Sequence, residues 1–239
     1  MEPVPRPGVG SLSQEAPPPF DAVVLAGGRA TRLGGFPKPL LVFEGATLLE
    51  RALAAVSAAR QAVVVGPVPD AVGAPPAARY VLEEPRFGGP LAALGAGVAE
   101  LERGARDGAV WVVVLAVDVP RSADAVPLLL DAAVGSAREA AAAEGGRGPD
   151  AIVAEDDAGR LQPLLGAYRR GPLTQVLAGL ARDGGLADRP MRDLVARLDL
   201  LPLRLPAGLS DDVDTWDAAE RWGIGRPDAP GGTARQEDL

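Results

Sequence analysis

The amino-acid sequence predicts a three-layer α/β/α fold around a mostly parallel, mixed β-sheet. Valine-rich apolar runs alternate with alanine- and leucine-rich helical segments along the chain, which is typical of parallel βαβ units. Hydrophobic residues make up 47% of the sequence but aromatic residues only 4%, a supply that suits a buried sheet covered by helices. The residues Asp156-Asp157-Ala158-Gly159 predict a hairpin turn, and therefore one antiparallel element in the sheet.

The N-terminal half of the chain is predicted to alternate strands with helices. Thr47 and Glu50 have the spacing of a capping box, which predicts a helix that starts there and continues to residue 59. Pro90 stands where a second helix begins, and the helical pattern continues to residue 103. Apolar runs bounded by turn residues predict strands at 21–26, 61–66, 80–82 and 109–117.

The C-terminal half is predicted to complete a single domain spanning residues 20–223. The hairpin turn connects strands at 151–155 and 160–168, and a further strand is expected at 201–205. Helices are predicted from residue 124 and at 172–182, 191–198 and 215–222, with an alanine- and glycine-rich spacer at 135–149. Residues 1–19 and 224–239 combine proline, glycine and charge without periodicity, so we expect disordered tails there.

The composition excludes several classes of chemistry. Cysteine and histidine are both absent, which excludes disulfides, thiolate nucleophiles, Cys/His zinc sites and an imidazole base. A bound metal must therefore have oxygen ligands, which favours Mg²⁺. The net charge of −8 argues against a general nucleic-acid-binding surface. No apolar run reaches the roughly 20 residues of a membrane span, and residues 1–19 lack a signal-peptide core. We expect a cytoplasmic protein without a membrane or nucleic-acid partner, as a monomer or weak homo-oligomer.

The segment after the first predicted strand carries the strongest chemical signal. Residues 27–38 contain four glycines and the cations Arg29, Arg32 and Lys38. Glycines let backbone N–H groups approach phosphate oxygens, and the cations neutralise their charge. The segment matches neither the dinucleotide fingerprint nor the P-loop. The residues alone predict a phosphate-binding loop, with a flexible loop of solvated charges as the alternative.

The pattern L-A-G-G-x-x-x-R-x-G-G-x-x-K-P-L at 25–40 resembles the signature loop of enzymes that transfer a nucleoside monophosphate from a nucleoside triphosphate. It is most similar to the molybdenum cofactor guanylyltransferase family. Further similar stretches are Glu83-Glu84 before Gly88-Gly89-Pro90-Leu91, the segment 116–120, and Asp212-Val213-Asp214-Thr215. The resemblance implies a Rossmann-like nucleotidyltransferase fold, the substrates GTP and molybdopterin (or its molybdenum cofactor form), and Mg²⁺ as cofactor.

The resemblance also implies roles for individual residues. Lys38 would bind the α-phosphate, Arg32 the β- and γ-phosphates, and Asp118 would bind Mg²⁺ and the nucleotide. An aspartate directly after a buried strand suits a metal ligand, although it could instead cap the turn before Val119-Pro120. Asp214 could likewise be a helix N-cap, and Trp216 and Trp222 are expected to pack rather than to stack on a pterin. The other implied contacts are Leu25, Ala26, Gly27, Gly28 and Glu84 with the nucleotide, and Gly89, Asp212 and Asp214 with the acceptor substrate.

Two positions depart from the guanylyltransferase pattern. Pro37 precedes the lysine where these enzymes usually have aspartate, and Val65-Gly66-Pro67 stands where they often place asparagine. These departures leave open CTP as the donor, with the same pterin as acceptor, or a nucleotidyltransferase for a sugar or alcohol phosphate. A non-catalytic nucleotide-binding protein is the alternative outside enzymes. The retention of Arg32, Lys38 and Asp118 together argues against it.

Overall fold

The computed structural model describes residues 18–68, 78–104, 109–143 and 146–227. The predicted tail residues 1–17 and 228–239 lie outside these ranges. In the described parts, no helix is both long and apolar enough to cross a membrane. The strands are β1 (Phe20–Leu25), β2 (Val42–Phe43), β3 (Ala46–Thr47), β4 (Ala62–Val65), β5 (Ala78–Val81), β6 (Trp111–Ala116), β7 (Ala151–Glu155), β8 (Leu161–Arg169) and β9 (Leu200–Arg204). The helices are α1 (Leu48–Ala55), α2 (Pro90–Gly104), α3 (Ser122–Ala142), α4 (Arg170–Arg182), α5 (Arg192–Val195) and α6 (Trp216–Arg221).

The main sheet is mixed and mostly parallel, as predicted. Its seven strands run in the order β5-β4-β1-β6-β8-β7-β9. Four neighbouring pairs are parallel, and only β8 runs antiparallel to both of its neighbours, β6 and β7. The antiparallel strand is the second arm of the hairpin that the turn at 156–159 predicted. Because β1, β4 and β6 are parallel and adjacent, their carboxyl ends meet at one edge of the sheet.

Two hydrophobic cores lie on opposite faces of this sheet. Side chains from α1, α3 and α6 pack on one face, and side chains from α2, α4 and α5 pack on the other. Successive residues of β1 alternate between the two cores, with Val24 in the first and Val23 in the second. Both are fully buried, which explains why the strand is a continuous apolar run. The predicted three-layer architecture is therefore confirmed.

Local structure agrees with the sequence pattern at the start of α1. The Thr47 side chain accepts a hydrogen bond from the Glu50 backbone at 3.2 Å, and Glu50 accepts one from the Thr47 backbone at 2.7 Å. This is the capping box that the spacing predicted. The helix is shorter than expected, since it ends at Ala55.

Other elements also differ from the sequence prediction. Helix α3 continues to Ala142 through residues assigned to a spacer, because the run Ala137–Ala142 is rich in good helix formers. Strands β2 and β3 form a two-stranded hairpin that was not predicted, since each has only two residues. Helix α5 spans four residues instead of the eight expected at 191–198.

The packed part of the chain extends past the expected boundary at residue 223. Ile224 is buried, and Gly225 exchanges two backbone hydrogen bonds with Val42, at 2.8 and 3.0 Å. The Arg226 guanidinium lies 5.1 Å from the ring centroid of Phe36. Residues 224–226, which were expected in the C-terminal tail, therefore pack on the domain, because an apolar side chain and two backbone hydrogen bonds hold them there.

Candidate active site

Two adjoining cavities lie where the carboxyl ends of β1, β4 and β6 meet. The first, of about 530 Å³, lies over the glycine-containing loop that follows β1, and we call it the loop-side cavity. The second, of about 470 Å³, extends toward β8 and includes Gln162, Leu164 and Met191; we call it the β8-side cavity. The two cavities share six lining residues, which are Gly27, Gly28, Arg29, Lys38, Glu83 and Phe87.

The loop after β1 is held firmly at both of its flanks. The Ala26 N–H donates to the Val65 carbonyl at 2.8 Å, and the Leu25 carbonyl accepts from the Val117 N–H at 3.0 Å. Gly28 has φ +138°, a conformation that side-chain-bearing residues rarely adopt. Leu33, in a 3₁₀ turn, is fully buried and anchors the outer part of the loop. Among the backbone hydrogen bonds of the described residues, none is donated by the N–H of Gly27 or Gly28, so these two groups can bind a ligand.

Gly66, at the end of β4, permits a very close approach to this loop. A Cβ atom at residue 66 would lie 2.9 Å from the carbonyl carbon of Ala26. Real Cβ atoms essentially never come so near to another backbone. Because residue 66 has no side chain, the backbone at Ala26 and Gly27 can lie directly against the end of β4.

Lys38 is the centre of the charged network in the cleft. Its Nζ lies 2.5 Å from Oδ2 of Asp118 and also donates to Oδ1 of Asp214. The Lys38 and Asp118 side chains are only 19% and 17% exposed, so this pair is well shielded from solvent. Arg32 contacts the other oxygen of Asp214 at 3.3 Å, but its side chain is largely exposed. Two cationic side chains of the loop thus donate hydrogen bonds to carboxylates from two other segments of the chain.

The pKa of Lys38 reflects two opposing effects. Burial lowers it, but the charges and hydrogen bonds of Asp118 and Asp214 together outweigh burial and raise the pKa above the usual lysine value. Because the folded-state pKa is raised, the ammonium contributes stability at neutral pH that is lost only as the pH rises through that raised value. Lys38 is therefore a fixed positive charge in the cleft.

The two aspartates that contact Lys38 come together through the backbone. Asp118 follows β6, and its carbonyl accepts a hydrogen bond from the Val213 N–H at 3.0 Å. Val213 is fully buried, so the segment around it is pinned beside the end of β6. Thr215, not Asp214, caps α6, because its side chain accepts from the Ala218 N–H. Asp214 is therefore free of the capping role and turns to Lys38 and Arg32.

Asp118, Asp212 and Asp214 form a carboxylate cluster. One oxygen from each lies within 4.8 Å of the others, and it is the one such group found among the described residues. The pKa of Asp212 is raised, first by desolvation in the cleft and then by the charges of Asp118 and Asp214, which Lys38 partly offsets. Three oxygen donors of this kind fit a hard divalent cation such as Mg²⁺, with room for substrate phosphates as further ligands.

The structure brings most of the expected site residues into the cleft. Lys38 lines both cavities, Arg32 and Asp214 the loop-side cavity, and Asp118 and Asp212 the β8-side cavity. The backbone residues also lie there: Leu25 and Gly89 in the β8-side cavity, Ala26 in the loop-side cavity, and Gly27 and Gly28 in both. Trp216 and Trp222 pack against Phe36 and Phe43, with ring centroids 6.3 and 5.8 Å apart, rather than facing a ligand.

Glu84 is not brought to the cleft. It is exposed and lines a separate depression beside α2, whereas its neighbour Glu83 is buried and lines both cavities. Oε1 of Glu83 accepts a hydrogen bond from the Phe87 N–H at 2.9 Å. Of the two neighbouring glutamates, one therefore faces the site and the other faces solvent. Nothing in the sequence distinguishes which of the two faces inward.

No role for Phe87 is predicted from the sequence. Its backbone is in the left-handed region, with φ +62°, and its side chain is 45% exposed. The guanidinium carbons of Arg29 and Arg86 lie 5.0 and 5.3 Å from the ring centroid. Phe87 and Arg29 line both cavities, and Arg86 lines the loop-side cavity. A motif scan gives no signal for this residue, because its place beside the cavities depends on the fold.

Comparison with known proteins identifies the family of this domain. Residues 22–200 match the family model of the MobA-like NTP transferase domain. The chain is 37% identical over 126 residues to a molybdenum cofactor guanylyltransferase from Acidiphilium cryptum, and 34% identical over 113 residues to one from Nitrobacter hamburgensis. These matches include 52% and 43% of the chain, and they span 61% and 50% of the relatives' own lengths.

The same fold occurs in a solved structure from an archaeon. The molybdopterin-guanine dinucleotide biosynthesis protein A from Archaeoglobus fulgidus superimposes with a TM-score of 0.58 at 20% identity. The match covers 84% of this chain and 96% of that protein. At this identity the likeness establishes the fold, while the family model establishes descent over most of the domain. The chain belongs to the MobA-like NTP transferase domain family, a family of nucleotidyltransferases.

Proposed function

We propose that this protein transfers GMP from GTP to molybdopterin, releases pyrophosphate, and requires a divalent ion such as Mg²⁺. The observation that carries the proposal is the convergence of Lys38 and Arg32 with the carboxylate cluster at the edge of the glycine-containing loop. The family supports nucleotidyl transfer, and the curated relatives support guanylyl transfer to a molybdenum cofactor.

The loop and its cations would bind the triphosphate. The backbone N–H groups around Gly27 and Gly28 provide donors, and Lys38 and Arg32 provide positive charge at the same edge of the loop-side cavity. Lys38 is the more buried of the two cations, and we assign it to the α-phosphate, where charge accumulates during transfer. Arg32 is the more exposed, and we assign it to the departing pyrophosphate.

The transfer needs little acid–base chemistry from the protein. A phosphate oxygen of the acceptor attacks the α-phosphorus, a new P–O bond forms, and the bond from that phosphorus to the bridging oxygen of the β-phosphate breaks. The nucleophile is already an anion, so a chain without histidine can support the reaction. Catalysis then depends on positioning and charge stabilisation by Lys38, Arg32 and the loop.

Asp118, Asp212 and Asp214 would hold the divalent ion. Bound there, Mg²⁺ would neutralise phosphate charge and help to orient the reacting groups. The cluster lies between the two cavities, because Asp214 lines the loop-side cavity while Asp118 and Asp212 line the β8-side cavity. We assign the nucleotide to the former and the acceptor to the latter, which contains the apolar residues Leu164, Leu165 and Met191 that suit a flat heteroaromatic ring.

Cytidylyl transfer to the same pterin is the second candidate. Pro37, Gly66 and Pro67 line the loop-side cavity, and none of them has a side-chain group that could bond to guanine. Base selection would then depend on backbone groups and on other polar side chains of this cavity, such as Glu83. The donor nucleotide therefore has to be determined directly.

A panel of nucleoside triphosphates tests the proposal. The full-length protein is mixed with GTP, CTP, ATP or UTP, together with Mg²⁺ and molybdopterin, and pyrophosphate release is measured. Release with GTP alone supports the proposal, and preference for CTP supports the second candidate. Nucleotide binding without release from any of the four contradicts both.

Two variants connect this assay to the site. Asp118→Asn removes a carboxylate from the cluster and should abolish most pyrophosphate release. Asp124→Asn is the matched control, since Asp124 is an exposed partner of Arg121 on α3 and lines neither cavity.

A further inference from the structure

Lys38 is the only lysine in the sequence. The chain has 24 lysine and arginine residues in all, so every other cationic side chain is a guanidinium. An ammonium is a compact point charge on a flexible stem, whereas a guanidinium is a broad planar fork. This compact cation lies against Asp118 and Asp214, two members of the carboxylate cluster. The one lysine of the sequence therefore stands at the position where a compact cation fits between two carboxylates.

Lys38 and a divalent ion would compete for the same carboxylates. Oδ2 of Asp118 and Oδ1 of Asp214 both accept from the ammonium, and both residues belong to the cluster in which one oxygen of each member lies within 4.8 Å of the others. A carboxylate oxygen that coordinates a metal at about 2.1 Å cannot keep an ammonium as close neighbour without strong repulsion between the cations. Each of these two oxygens therefore has either the ammonium or the ion as its close neighbour, while Arg32 contacts the other oxygen of Asp214.

We propose that the Lys38 ammonium fills the carboxylate cluster in the free protein and exchanges places with the divalent ion. When the ion binds, the Lys38 side chain leaves Asp118 and Asp214 and turns into the loop-side cavity. The inference rests on the proposed function only in taking a divalent ion as the second cation. The Lys38 side chain would have two alternative positions, whichever nucleotide is transferred.

The surroundings of Lys38 allow this exchange. The residue lines both cavities, so its side chain has open space on the loop side as well as at the cluster. Its backbone is fixed in a 3₁₀ turn between Pro37 and Pro39, while the side-chain torsions remain free to turn. Arg32 keeps a contact with Asp214 when Lys38 leaves. Only the ammonium has to move.

The exchange couples metal binding to nucleotide binding. An ammonium displaced from the cluster needs a new anionic partner, and a phosphate in the loop-side cavity would supply one. Each ligand therefore raises the affinity for the other, since both favour the same position of Lys38. In the absence of nucleotide, the wild-type protein should bind the ion weakly because the ammonium competes for the oxygens.

Manganese binding in the absence of nucleotide tests the competition. Mn²⁺ alone is titrated into the wild-type protein, Lys38→Met and Arg103→Met, and free Mn²⁺ is measured by electron paramagnetic resonance. We expect Lys38→Met to bind Mn²⁺ roughly tenfold more tightly or better, because the competing charge is gone. Arg103→Met removes an exposed cation paired with Glu100 and should match wild type. Equal or weaker binding by Lys38→Met overturns the proposal.

A measurement on the wild-type protein covers the case in which Lys38→Met does not fold. With nitrogen-15 in lysine only, the folded protein gives a single side-chain ammonium signal, because there is one lysine. We expect this signal to shift or broaden as Mg²⁺ alone is added to saturation. A signal unchanged while Mg²⁺ binds the cluster overturns the proposal. Neither readout involves nucleotidyl transfer, so failure here and failure in the nucleotide panel are separate results.

Discussion

Replacement of Asp212 by asparagine should stabilise the metal-free protein while weakening its function. The carboxyl group of Asp212 lies within 4.8 Å of oxygens of Asp118 and Asp214. Desolvation and the charges of these two neighbours raise its pKa, which means that the folded state disfavours its charged form. Asparagine has nearly the same shape without the charge, so the substitution isolates the electrostatic cost.

The size of the effect follows from the geometry. Two unit charges at the upper limit of 4.8 Å repel by roughly 3.5 kcal/mol at an effective dielectric constant of about 20. Lys38 offsets part of this repulsion, and because Asp212 is exposed as a residue, solvent screening reduces the remainder. We therefore expect a gain of about 0.5–1 kcal/mol in the free energy of unfolding. For a domain of this size, that gain corresponds to a Tm rise of roughly 1–4 °C.

Thermal unfolding with and without a divalent ion measures this gain. With a chelator at pH 7, Asp212→Asn should melt above wild type. A raised folded-state pKa gives stability that is present at low pH and is lost as the pH rises through it. The advantage of the variant should therefore appear above that pKa and fade toward acid. With millimolar Mg²⁺ it should shrink or reverse, because the wild-type protein gains more from binding the ion.

The neighbouring residue provides the control. Asp211 is also exposed but does not belong to the carboxylate cluster, so Asp211→Asn should leave Tm close to wild type in both conditions. A decrease in Tm for Asp212→Asn with the chelator would refute the reasoning, as would an equal rise for Asp211→Asn. Either result would mean that repulsion within the cluster does not determine the stability of the metal-free state.

Three further predictions concern the reaction, the loop and the core. Lys38→Ala should lower turnover by roughly 10²-fold or more, because it removes charge stabilisation at the reacting phosphate; near-wild-type pyrophosphate release from a variant with an unchanged circular dichroism spectrum would exclude that role. Gly66→Ala places a Cβ 2.9 Å from the Ala26 carbonyl carbon, and we expect about 1–3 kcal/mol of destabilisation in urea unfolding together with weaker GTP binding. Gly171→Ala, in open space on α4, should be neutral or stabilising, and equal losses at both glycines would contradict the close-approach argument. Leu115 on β6 is fully buried, so Leu115→Ala should cost about 2–5 kcal/mol, whereas Leu201 is 41% exposed and Leu201→Ala should change stability little; similar urea midpoints for the two variants would show that burial does not set the cost.

Much of the architecture could be read from local pattern. Val23 and Val24 belong to a continuous apolar run, and such a run has to be buried on both faces, which requires helices on both sides of the sheet. The capping box at Thr47 and the hairpin turn at 156–159 are formed by residues close in sequence, so their geometry is determined locally. Short elements such as β2 and β3 escape this reasoning, because two residues carry no periodicity.

The sequence by itself determined the sheet with its flanking helices, the absence of thiol and imidazole chemistry, and a glycine- and cation-containing loop at the end of the first strand. Only the tertiary structure decided that Lys38, Asp118 and Asp214 share one network, and that Glu83 rather than Glu84 faces the cleft. Lys38 and Asp214 are 176 residues apart in sequence, and no local pattern encodes a distance of that kind. The physical reason is that strand order and the packing of Val213 beside β6 set which strand ends meet, and both depend on burial across the whole domain.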